Sequence, residues 1–107
     1  MSDIISGLGL DEDNIKWYQF AACNNMDTNW FYDLYETDVH IAKQADNVCL
    51  HCPVAKNCFN EGVSGREFGV WGGVYLNLGR VDKSSNSHKT EEVWNELEEL
   101  HGERLIR

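Results

Sequence analysis

Apolar residues recur along this chain in short bursts at helical spacing, broken by Asp, Asn and Gly. In the first burst Asp13 or Asn14 is placed to cap a helix over 15–22, with Trp17, Phe20 and Ala21 on one face. Cys23 closes that helix, and Asn24-Asn25 reads as a turn. Asp27 or Thr28 caps a second short segment carrying Trp30, Phe31, Leu34 and Tyr35. Thr37 or Asp38 starts a third, where Val39, Ala42, Ala45 and Cys49 are spaced to put Cys49 on the inner face. Pro53 suits the first position of the next helix, where the N–H it lacks would have no partner anyway. Val54, Ala55, Cys58 and Phe59 lie on that helix, and Gly62 is its expected stop.

The pattern then changes. In Gly69-Val70-Trp71-Gly72-Gly73 the glycines allow a tight turn with positive φ that presents one large ring on a small backbone. Val74, Tyr75, Leu76 and Leu78 extend it, as a strand or as a helical turn. Residues 79–89 are polar and read as a linker. Thr90 caps a last helix with Glu91 and Glu92 in its first turn, a Val93, Leu97 and Leu100 stripe, Trp94 beside it, and Gly102 at its end. The expected fold is all-α, a small irregular bundle of short helices followed by a Gly-rich turn and a C-terminal helix. Its divisions are a loose lead-in over 1–13, a domain over 14–78, the linker over 79–89 and an acidic helix over 90–107.

A length of 107 residues sets one domain with a thin core, which favours some form of staple. No apolar run is long enough to span a membrane, and the acidic start has no basic segment leading into an apolar one, so a cytoplasmic chain is expected. Thiols there stay reduced, which turns four cysteines toward metal or redox chemistry rather than disulfides. The net charge of −9 opposes a phosphate backbone and fits a basic protein partner better.

Three cysteines fall in Cys49-Leu50-His51-Cys52-Pro53-Val54-Ala55-Lys56-Asn57-Cys58, and the fourth, Cys23, is remote. Two residues between Cys49 and Cys52 form one tight turn, which can aim both sulfurs at one ion or cluster. Spacing alone leaves three readings: a structural Cys₄ zinc site, a [4Fe–4S] cluster, or a thiol–disulfide pair at Cys49 and Cys52. Zinc ribbons usually supply two close pairs, whereas one ligand here is single. The surroundings are also rich in aromatics (Trp17, Phe20, Trp30, Phe31, Phe59, Trp71), which would shield a labile cluster from water. Both features lean toward iron–sulfur without deciding it. His51 lies between two candidate ligands, His40 is expected to face solvent, and His88 and His101 sit in linker and helix end. No nucleophile–base pattern or phosphate-binding loop stands out, so no enzymatic activity is expected.

The order Trp17, Ala21-Ala22-Cys23, Asp27, Phe31, then Cys49-x-x-Cys52-Pro53-Val54, Cys58 and Gly69-Val70-Trp71-Gly72-Gly73 resembles the WhiB-like proteins of actinobacteria and their phages, over about residues 15–76. The resemblance implies a transcription factor whose Cys23, Cys49, Cys52 and Cys58 each ligate one iron of an O₂- and nitric-oxide-sensitive [4Fe–4S] cluster wrapped by the helices. It implies docking on region 4 of the principal sigma factor as a monomer in a 1:1 complex. Trp71 in its turn of Gly69, Val70, Gly72 and Gly73 would pack on sigma near the cluster, and Trp17, Phe31 and Tyr32 fall where the family places interface aromatics. Tyr32 stands where another Phe is common. Many members follow the glycine turn with a basic DNA-contacting segment. Residues 74–107 instead carry five basic against seven acidic side chains, so DNA is expected to be met only indirectly or weakly. The acidic helix is expected to fold back or to meet a protein. A short acidic member of this kind would suit a phage version that redirects or restrains host sigma. The rival readings are a disulfide reductase in the cluster-free state and a zinc-stapled interaction module.

Overall fold

The computed structural model describes residues 21–24 and 26–106. The lead-in over 1–13, Trp17 and the expected helix over 15–22, apart from its last two residues, lie outside them. Among the described residues a 3-10 turn, Thr28–Phe31, leads into α1 (Asp33–Thr37), α2 (Val39–Leu50) and α3 (Ala55–Ser64). The chain continues through β1 (Gly69–Trp71), β2 (Val74–Asn77) and β3 (Arg80–Val81), and ends in α4 (Glu91–His101).

The caps are where local chemistry puts them. Asp27 accepts from the Asn29 amide, and Asp38 accepts from His40 and Ile41 at 3.0 and 3.3 Å. Thr90 accepts from Val93, and Gly102 closes α4 in the left-handed region at φ 72°. Two boundaries differ from expectation. Pro53 lies in the turn between α2 and α3, and the helix starts at Ala55 with Val54 as its cap. Gly62 does not stop α3 but lies inside it, buried, because a Cβ there would meet Trp71 Cγ at 2.5 Å. Its smallness serves packing rather than termination.

The all-α expectation is corrected by a three-stranded antiparallel sheet in the order β1-β2-β3. Gly72 and Gly73, at φ 63° and 88°, form a two-residue turn whose twist suits a hairpin, pairing Trp71 with Val74 and Gly69 with Leu76. The run Val74-Tyr75-Leu76 lacks polar alternation because β2 is buried on both faces. Tyr75 belongs to one core with Phe31, Tyr35, Ala42, Ala45, Cys49 and Val70. Val74 and Leu76 belong to the other, with Phe59, Trp94, Leu97 and Leu105. The sheet is thus the wall between two small cores.

The polar 79–89 stretch contains β3 and the buried Asn86, whose side chain accepts from the Tyr75 amide (3.0 Å) and donates to the Tyr75 carbonyl (2.9 Å). Beyond it α4 folds back on the domain, burying Trp94 and Leu97 in the second core.

Candidate metal centre

Four free cysteines converge from four local settings. Cys23 lies in the turn closed by the Asn24 amide on the Ala21 carbonyl. Cys49 is one residue from the end of α2, on the buried stripe of Ala42 and Ala45. Cys52 sits in the link to α3, its amide bonded to the Cys49 carbonyl at 3.1 Å, and Cys58 comes from the first turns of α3. All four line one cavity of about 260 Å³, whose mainly apolar lining includes Phe31, Tyr32, Val70, Trp71 and Gly72.

Two sulfurs already accept backbone hydrogen bonds: Ala22 N–H donates to Cys52 Sγ and Gly72 N–H to Cys58 Sγ, each at 3.3 Å. Burial pushes the Cys49 thiol far up, reinforced by the negative charge Cys58, Cys23, Asp46 and Cys52 would carry. Burial pushes Cys58 up to about 11, with the Gly72 amide acting against it, and burial beside Cys52 raises Cys23. Without a counter-charge these groups are therefore thiols, and Cys49 is a poor nucleophile. A cationic core between the sulfurs would offset both causes, desolvation of the thiolate and mutual repulsion.

Among the described residues no three His, Cys, Asp or Glu side chains are placed to hold a metal ion, although all four sulfurs share the cavity. Four thiol donors around a common apolar space, with amides aimed at two of them, suit a thiolate-ligated group. The donor set fits a [4Fe–4S] cluster.

Of the aromatics singled out in the sequence, Phe31 is buried in the first core and Tyr32 is 40% exposed. The Tyr32 ring lies over Gly69, where a Cβ would meet its Cε1 at 2.4 Å. Trp71 is half-buried between Gly62 and the second core, and its indole N–H donates to the Phe68 carbonyl at 2.9 Å. Val70, Gly69, Gly72 and Gly73 are buried. Phe31, Tyr32, Val70, Trp71 and Gly72 thus share the cysteine cavity, while Trp17 lies outside the described residues.

Two supports escaped the sequence. His101 is buried rather than fraying at a helix end: it stacks on Phe59 at 4.3 Å and bonds the Gly72 carbonyl. One turn before Cys49, the buried Asp46 takes Lys89 Nζ at 3.1 Å and His88 Nε2 at 2.7 Å, and the Tyr35 hydroxyl donates to it as well. The Lys89 side chain is fully enclosed, and its ammonium also donates to Asn86 Oδ1 at 2.9 Å. The one hint was positional, since Asp46 and His101 lie on the buried stripes of their helices.

The arrangement defines a small mixed α/β domain built around a four-thiol cavity with aromatic walls. Residues 17–80 match the family described as Transcription factor WhiB, and the chain belongs to that family. It is 31% identical to Transcriptional regulator WhiB1 of Mycobacterium tuberculosis over 68% of this chain and 90% of the relative. To Transcriptional regulator WhiD of Streptomyces coelicolor it is 32% identical, over 69% of this chain and 70% of that protein. With Transcriptional regulator WhiB4 of M. tuberculosis it shares 33% identity over 59% of this chain, spanning about half (51%) of that regulator's length. No solved structure matches the chain.

Proposed function

We propose that this chain is a transcriptional regulator that holds a [4Fe–4S] cluster on Cys23, Cys49, Cys52 and Cys58 and docks on region 4 of the principal sigma factor. The observation carrying this reading is the shared cavity, where four thiols meet the Phe31, Tyr32, Val70, Trp71 and Gly72 wall. The regulator names of the relatives support the transcriptional role. When bound, the cluster would supply a redox-active group sensitive to O₂ and nitric oxide. The residues themselves exclude water, give N–H donors to two sulfurs, and set Trp71 on the wall of the cavity. A flat indole seated on small residues is the kind of anchor that dominates protein interfaces. Sigma docks through this face, and DNA is reached chiefly through the partner because the C-terminal segment has no cluster of Arg and Lys.

The test is an anaerobic absorption spectrum with iron and sulfide assays, alone and mixed with isolated sigma region 4. Four irons with four sulfides and a stable 1:1 complex are expected. Trp71→Ala should keep the brown chromophore and lose sigma binding. A colourless folded protein with stoichiometric zinc, or undiminished binding by Trp71→Ala, overturns the reading.

A further inference from the structure

We propose a second docking surface, built by the turn after α3 and the β2–β3 turn, that takes an acidic protein segment: carboxylates on Arg66 and Arg80, an aliphatic side chain on Leu78. Among the described residues Arg66 and Leu78 are the only non-glycine residues with positive φ, at 55° and 54°, and both line this one depression of about 370 Å³ with Asn77 and Arg80.

The α3 terminus explains the first of these residues. Arg66 N–H bonds the Val63 carbonyl (3.2 Å) and Glu67 N–H the Gly62 carbonyl (2.9 Å), a helix-ending motif whose left-handed position ordinarily falls to glycine. Glycine is present one residue earlier, at Gly65, in the right-handed region. Leu78 is the first residue of a two-residue hairpin turn, Leu78-Gly79, between the paired Asn77 and Arg80. That position favours Asn, Asp or Gly. Leu78 is 57% exposed, so burial inside the chain does not offset its strained backbone. Side chains held at a backbone cost, without offsetting burial among the described residues, point to an external use.

The two turns form one surface. Gly79 N–H bonds the Glu67 carbonyl at 3.0 Å, and a Cβ on Gly79 would meet the Val63 carbonyl at 2.7 Å. Val63 and Phe68, on either side of the α3 turn, are 40% and 52% exposed, adding apolar area. The nearby carboxylates are turned to other groups. Glu67 folds over Gly65 and acts on Tyr32, while Asp82 accepts from Ser84, Ser85 and Asn77. Two guanidinium groups beside exposed aliphatic carbon make a local basic spot, on a chain whose net charge of −9 otherwise repels carboxylates, and complement a carboxylate-bearing protein segment there. A nucleic acid would meet only two cations and a leucine. No residue of this depression lines the cysteine cavity, so the surface is independent of the sigma-docking reading.

The experiment titrates the isotopically labelled full chain with a synthetic peptide alternating Asp and Leu, followed by NMR. A Lys–Leu peptide and a short duplex DNA serve as comparators. Saturable shifts of the Leu78 methyls and the Arg66 and Arg80 guanidinium signals are expected, weakened by ~10-fold or more in Arg66→Glu or Arg80→Glu. Leu78→Gly and Arg66→Gly relieve the left-handed backbone. Each should melt at or above the parent temperature while losing affinity for the peptide. Absence of these shifts, equal or tighter binding of the duplex at the same residues, or lower melting of both glycine variants overturns the proposal.

Discussion

His101 and Gly72, twenty-nine residues apart, meet where the last helix touches the first hairpin, with imidazole Nε2 donating to the Gly72 carbonyl at 2.8 Å. The same glycine donates its amide to Cys58 Sγ, and a Cβ on it would meet the Ala55 carbonyl, Phe59 Cβ and His101 Cε1 within 3 Å. One glycine therefore joins α4 to the sulfur cavity, through the two peptide groups on either side of its Cα. His101→Ala removes this bond and the Phe59 stack, and should lower unfolding stability by about 2 kcal/mol. His101→Gln, which keeps a donor, should recover part of it. Urea denaturation of the anaerobic protein measures both.

The same imidazole gives a pH dependence. Burial holds His101 below its ordinary 6.5, with the Gly72 bond acting in the opposite direction. Its Nδ1 is buried without a hydrogen-bond partner, so a second N–H there would find no acceptor among the described residues. The folded form thus binds the proton less readily than the unfolded chain. Stability from this group is intact above about pH 6.5 and falls as pH drops toward the depressed folded value. Urea midpoints measured from about pH 7.5 down to about pH 5.5 should fall more steeply for the parent than for His101→Gln. Parallel slopes for the two proteins would count against this role.

Gly62→Ala places a methyl 2.5 Å from Trp71 Cγ and 2.9 Å from Leu76 Cδ1. The indole must move, at an overpacking cost of roughly 1–3 kcal/mol. Tryptophan fluorescence and a thermal melt report the displacement. On the proposed docking mode, sigma affinity should fall even at temperatures where the variant is fully folded.

Lys89→Met leaves Asp46 buried with His88 and the Tyr35 hydroxyl but without its ammonium partner. Burial lowers the Lys89 pKa, and the Asp46 carboxylate acts against that shift by favouring the charged ammonium. Breaking such a pair is expected to cost about 3–5 kcal/mol, whereas Asp46→Asn combined with Lys89→Met should recover much of that loss. A double-mutant cycle in urea checks this. Equal, additive losses from the two single changes would mean that the groups do not act as a pair.

On the proposed cluster reading, conversion of Cys49 to Ser should abolish iron uptake more completely than conversion of Cys23, because Cys49 is the most deeply buried of the four. If the cluster staples the two cores, chelation of iron should also reduce the helical circular dichroism signal. Iron assay and far-ultraviolet spectra before and after anaerobic chelation measure both effects.

Signals confined to a few neighbouring residues are legible in the sequence itself. Asp38, Thr90 and Gly102 are caps because their own side chain or backbone suffices, and the Cys49–Cys52 spacing needs only one turn. The sheet was harder to read. Val74-Tyr75-Leu76 is a short unbroken apolar run, equally at home in a helix, and only the strand partners Val70 and Val81 decide the matter. Gly72-Gly73 was readable as a turn with positive φ, but the strand pairing it directs depends on both flanks. Gly62 resembled a helix stop because its constraint comes from Trp71, a residue outside the helix. The Asp46–Lys89 pair spans 43 positions and leaves no periodic trace. In the cavity, the four sulfurs stood out in sequence, whereas the His101–Gly72 support depends on how the last helix docks.

The double-sided β2 strand has a consequence for length variation. Adding one residue between Val74 and Tyr75 would exchange the faces of the following side chains, sending the Tyr75 phenol among aliphatics, parting it from Glu36 and shifting the Tyr75 backbone away from Asn86. Both hydrophobic compartments would be damaged by a single codon. Insertions and deletions among relatives that keep this architecture should therefore gather outside the central ribbon, which acts as its fixed ruler.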